Sequence, residues 1–223
     1  MTHSRQSDNS GTVIRRNPDG SKEQKNPDGS IHWTKADGEK TSIFPSGHEI
    51  TILADGSKLQ KNPDGTKLHK FPDGKVVQYL AACVLTMEPN GVKIQANKDG
   101  TKITTYVDGK REQHNPDGTI ITKFPDGAIE EKRVNGDVLL KKPNGTLVQT
   151  MKDRSVVTVY VEDGRQEHKF VDGSVLTVWK DGKREQIETD GTKITQYPDG
   201  RIVQVDTDGT ILESQAPPAA PPK

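Results

Sequence analysis

With 223 residues the chain has room for one or two ordinary domains, but its composition excludes an ordinary hydrophobic core. Leu, Ile, Val and Phe supply only about a fifth of the residues, close to the range of disordered chains. The 32 basic and 32 acidic residues cancel and intermingle, which argues against disorder and leaves no basic tract for nucleic acid or a membrane.

From the N-terminus, residues 1–10 read as a polar leader without the apolar stretch of a signal peptide. Cys83 is the only cysteine, so no internal disulfide can form. The longest apolar segment, Val76 to Met87, is too short to cross a bilayer. A cytoplasmic protein is the expectation.

Residues 11–213 carry a nine-residue repeat. Glycine recurs at every ninth position from Gly11 to Gly74, from Gly91 to Gly145 and from Gly164 to Gly209. The two gaps, of 17 and 19 residues, each hide a turn that has lost its glycine, near Cys83 and at Arg154. In "NPDG" and "FPDG" the proline presets the first corner of a turn and Asp suits the second. Glycine then takes the left-handed conformation, making a type I turn closed by a glycine bulge. Six residues remain per repeat, rich in Thr, Ile, Val and Lys, as in "TIITKF" and "SVLTVW". The fold class predicted is all-β, a single-layer antiparallel β-meander of about 22 short strands built on nine-residue Pro-Asp-Gly turn repeats. A calcium-binding roll shares the period but needs Gly-Gly-x-Gly-x-Asp, whereas this repeat has one glycine, so no metal site and no cofactor are expected.

In such a hairpin the sixth strand residue faces the first of the next repeat, the fifth faces the second, and the fourth faces the third. The third position is the most apolar, as at Ile50, Leu59, Leu68, Ile103, Ile121, Leu176 and Ile194. It switches face from strand to strand, so neither face becomes continuously hydrophobic and neither demands a covering layer.

A freestanding meander on aromatic-Pro-Asp-Gly turns resembles the T-complex-protein-10 C-terminal domain, the G-box of CPAP-type centriole proteins. The residues that carry the resemblance are Phe44-Pro45-Ser46-Gly47, Phe71-Pro72-Asp73-Gly74, Phe124-Pro125-Asp126-Gly127 and Tyr197-Pro198-Asp199-Gly200. The resemblance implies a scaffold of the centriole, basal body or ciliary cytoskeleton. It also implies that the exposed sheet docks a partner protein's proline-rich segment, and that sheets can associate end to end. Four turns depart from the family pattern by carrying Asn17, Asn26, Asn62 and Asn115 before the proline.

Cross-strand pairing singles out one candidate site. Arg165, Trp179, Lys183, Tyr197 and Arg201 should line one margin of one face, alternating cation and aromatic, and Tyr106, Lys110 and Phe124 should repeat the pattern in the middle block. The plain alternative is that these contacts replace a missing core; the functional one is a docking strip for an extended segment. "GKREQ", which begins at Gly109 and Gly182, reads as a solvated strand. His3, His32, His48, His69, His114 and His168 show no metal-ligand spacing.

The break "YLAACVLTM" is either a bulge or an apolar contact patch. The tail 214–223, "SQAPPAAPPK", is rich in proline and should act as an extended linker or a ligand. A flat ribbon encloses no pocket for catalysis, so an interaction scaffold is expected rather than an enzyme. Its rivals are a filament-forming spacer joined through terminal strand edges and a ligand- or calcium-binding roll.

Overall fold

The computed structural model describes residues 4–7 and 10–214. His3 and the tail beyond Ser214 lie outside the described residues. Among the described residues the secondary structure is all strand and turn: 24 short strands from β1 (Ser4–Ser7) to β24 (Ile211–Ser214), each antiparallel to its sequence neighbour wherever a pairing is resolved. The expected number was about 22. Twenty-one glycine turns alone join 22 strands, and the two turns without glycine supply the other two. The leader contributes β1, which pairs with Val13–Arg16 (β2), so the sheet begins before residue 11. Ladder pairing covers four residues per strand in nearly every repeat rather than six, because the flanking residues close the turns.

The chain divides into two compact units, residues 1–109 and 110–223. The first holds β1 to β12 (Lys102–Thr105) and the second β13 (Arg111–His114) to β24. Within each, a strand touches only the strands before and after it, so each unit is one layer. The turns show how the sequence sets this up. Asn17 N–H donates to the Ser21 carbonyl at 2.9 Å and Gly20 N–H to the Asn17 carbonyl at 3.1 Å, leaving Pro18, Asp19 and Gly20 as a three-residue loop. Asp19 Oδ1 accepts from the Ser21 N–H at 2.9 Å and the Ser21 hydroxyl at 2.7 Å, which ties down the second corner. The four glycines singled out in the aromatic turns, Gly47, Gly74, Gly127 and Gly200, take φ of 83°, 93°, 90° and 88°. At Gly29 a second constraint is added: a Cβ there would stand 3.1 Å from Pro45 Cγ, two turns along the same edge.

Both breaks in the period are absorbed by turns. At the first, Leu80 N–H donates to the Cys83 carbonyl at 2.9 Å across a two-residue turn of Ala81 and Ala82. Pairing resumes at Val84 with Tyr79, so there is no bulge. At the second, Arg154 takes φ 76°, the one non-glycine residue with positive φ among those described. The extra residue of the 19-residue gap sits in the following turn, a four-residue loop of Val161, Glu162, Asp163 and Gly164 closed by Tyr160 N–H to the Arg165 carbonyl at 2.9 Å.

Burial confirms that no hydrophobic core exists. Among the described residues only Val77 and Ala128 are buried apolar side chains, while Ser30, Ser57, Thr51, Thr122 and Thr195 are buried polar ones. Serine beside the turn aspartate and threonine at mid-strand are small enough to be covered by neighbours within one layer.

Candidate functional site

Register decides which side chains meet. In the second unit, Gln166 pairs with Val178 and Arg184 with Gln196, which puts Arg165 opposite Trp179 and Lys183 opposite Tyr197. The turns bring the remaining neighbours together: Trp179 N–H bonds the Lys183 carbonyl at 2.9 Å, and Tyr197 N–H the Arg201 carbonyl at 2.8 Å. Three successive turns of one margin thus place an aromatic residue last before the turn and a cation first after it: Tyr160 and Arg165, Trp179 and Lys183, Tyr197 and Arg201.

Side-chain contacts follow this backbone order. Lys183 Nζ lies 4.5 Å from the Trp179 ring centre and 6.0 Å from that of Tyr197. The Arg201 guanidinium is 3.9 Å from the Tyr197 ring centre, and its Nη1 donates to Glu213 at 3.3 Å. Arg165 stacks at 4.1 Å over Tyr160, an aromatic that the sequence reading missed. The four-residue loop after Tyr160 displaces it by one residue from the nine-residue count. The 19-residue gap was the signal that could have revealed it. Behind the margin, Glu185 receives Lys193 at 2.8 Å and Lys183 at 3.9 Å, so carboxylates of the central row help to hold the cations in place.

The middle-block candidates are distributed differently. Tyr106 belongs to the first unit, Lys110 and Phe124 to the second. Arg111 pairs with Lys123, which sets Lys110 opposite Phe124, and Lys110 Nζ meets Glu112 at 2.8 Å. At the Tyr79–Met87 break the pleat divides the apolar side chains. Leu85 and Met87 point to one face with Gln78, while Tyr79 and Val84 point to the other. An open groove of about 550 Å³ lies beside Leu59, His69, Tyr79 and Leu80. Three histidines contact aromatic rings, with centroid separations of 3.8 Å for His69–Phe71, 4.0 Å for His168–Phe170 and 6.2 Å for His32–Phe44. Among the described residues no group of three His, Cys, Asp or Glu could hold a metal ion.

Fold and surface define the class: a repeat-built antiparallel β-sheet whose chemistry lies on open faces. Within that class the chain resembles the T-complex protein 10 C-terminal domain. The sequence pattern described as T-complex protein 10 C-terminus matches residues 18–48 and 180–202, and the second stretch includes Lys183, Tyr197 and Arg201. The G-box domain of the microcephaly protein CPAP, whose structural study suggests a role in centriole elongation, is 26% identical with a TM-score of 0.66. The match covers 69% of this chain and 100% of that one. The wild-type TCP10 domain of Danio rerio CPAP is 27% identical with a TM-score of 0.60, covering 79% of this chain and 99% of that one. That zebrafish domain has also been solved in complex with a peptide of Danio rerio STIL; in that form it is 23% identical with a TM-score of 0.45, covering 92% and 99%. No curated protein sequence matches the chain.

Proposed function

We propose that this chain is a structural and interaction scaffold of the centriole or ciliary cytoskeleton, and that the second unit docks an extended partner segment along Tyr160, Arg165, Trp179, Lys183, Tyr197 and Arg201. The observation that carries the reading is the alternation of ring and cation at three successive turns of one margin. Flat aromatic surface suits proline rings, and interleaved cations suit acidic flanks of the same segment. The likeness to CPAP domains supports the cellular setting, and the STIL peptide bound by the zebrafish domain supports a peptide as the occupant.

The test uses Trp179→Thr with Tyr197→Thr, since threonine retains strand propensity. Titration with the zebrafish STIL peptide should show binding by the wild type and a loss of at least tenfold in the double variant, while circular dichroism stays unchanged. A folded double variant that binds undiminished would assign the row a purely structural role.

A second reading, a spacer that associates end to end, draws on a different observation. The terminal strand β24 is exposed throughout, with Ile211 and Leu212 open to solvent. Exposed edge strands recruit further strands. Sedimentation that depends on concentration, and is abolished by Leu212→Lys, would favour it; a monomer at all concentrations would exclude it.

A further inference from the structure

Charges that look interspersed along the chain are sorted by the register in the first unit. One face collects Arg16, Lys22, Lys40, Lys58, Lys70 and Lys93 in a single cross-strand row, linked by the pairs Arg16–Lys22, Thr34–Lys40, Ile52–Lys58, Lys58–Lys70 and Met87–Lys93. Among the described residues no strand residue of the unit on that face is acidic. The strand carboxylates of the unit, Glu23 and Glu49, lie on the opposite face in ion pairs with Lys25 at 3.3 Å and Lys61 at 2.8 Å. None of the six cations enters an ion pair among the described residues, and all except the half-buried Lys22 are exposed. The turns beside the row carry exposed aspartates, each held by its own turn. Asp19, Asp37, Asp55 and Asp73 each accept the backbone N–H two residues on, at 2.8 to 3.0 Å.

Two pairs on this face set like charges directly opposite one another, Arg16 against Lys22 and Lys58 against Lys70, with no carboxylate across from any of the four. The like-charge pairs of the opposite face, Arg5 with Arg15 and Lys61 with Lys67, have Glu23 across from Arg15 and Glu49 across from Lys61. Such pairs oppose folding unless an anion neutralises them. The spacing indicates which anion. Lys22, Lys40 and Lys58 stand on every second strand, roughly 10 Å apart. A polyproline-II segment repeats its side chains every three residues, about 9.3 Å. A nucleic-acid strand carries a charge about every 3.4 Å and prefers aromatic platforms, and no ring stands in this row.

We infer that this face of the first unit is an electrostatic docking site for an extended acidic segment of a protein partner, with carboxylates about three residues apart. It is separate from the aromatic margin of the second unit and does not depend on it.

The probe is a fluorescent (Glu-Pro-Pro)₅ peptide, with a glutamine counterpart and a single-stranded oligothymidylate as comparisons. The full chain should bind the glutamate peptide in low salt, bind the glutamine peptide not at all, and bind the oligonucleotide more weakly. Combining Lys22→Gln, Lys40→Gln, Lys58→Gln and Lys70→Gln should weaken the glutamate peptide at least tenfold and flatten the salt dependence. The same loss of charge on the opposite face, through Arg5→Gln, Arg15→Gln, Lys67→Gln and Lys102→Gln, should change binding less than twofold. Should the fourfold variant fail to fold, Lys40→Gln and Lys58→Gln are read singly. Equal losses from the two faces, tighter binding of the oligonucleotide, or no binding by the wild type would each overturn the assignment.

Discussion

Each turn depends on two residues that do different work. Gly127 has no heavy atom near its would-be Cβ, so its requirement for glycine is purely one of φ, which is 90°. Gly127→Val should therefore cost about 1–2 kcal/mol in a denaturant titration. Ala128→Thr, at a position where other repeats carry threonine, should cost far less. Arg154 tests the converse. It holds φ 76° with a side chain, and Arg154→Gly should raise stability by about 0.5–1 kcal/mol once the entropy of a flexible glycine is deducted. The aspartates add a pH dependence. The Ser21 hydroxyl, then the Ser21 N–H, holds the Asp19 carboxyl below the usual aspartate range, and Ser30, Ser155 and Ser174 do the same for Asp28, Asp153 and Asp172. A folded-state value below the unfolded one means that the native protein binds fewer protons. The stabilisation is present above the ordinary aspartate value and is lost as pH falls through the depressed values. Denaturant midpoints measured from about pH 5 down to about pH 2 should fall, and replacing the four serines by alanine should flatten that decline.

At the scale of the strand, register carries the information. The nine-residue period made the hairpin geometry legible, because a Pro-Asp-Gly turn leaves one way to pair the flanking residues. The expected opposition of Trp179 to Arg165 and Lys183 follows directly from it. Tyr160 was not legible, because one extra loop residue moves the aromatic out of count while leaving the ladder intact. The basic face was hidden for a related reason. Successive repeats present alternate positions to the same side, so the strand carboxylates that are mixed with cations along the first unit gather on one face and leave the other without them. Turns absorb changes of length and strands do not. Deleting Glu162, which restores a three-residue loop, should leave the melting temperature within a few degrees. Deleting Thr177 from mid-strand sends every following side chain to the wrong face until the next turn, and should unfold that hairpin.

Across the whole molecule, hydrogen-bonded ladders and small polar side chains take the place of a core. Stability in such a repeat is a sum of neighbour terms, and both faces remain free for partners. The heat capacity of unfolding tests this most directly, because it reports the apolar surface that folding buries. Compact proteins give about 12–15 cal/mol/K per residue, and here calorimetry should give on the order of half that. A value within the ordinary range would mean that a hydrophobic core forms after all, and would contradict the one-layer sheet on which both docking faces depend.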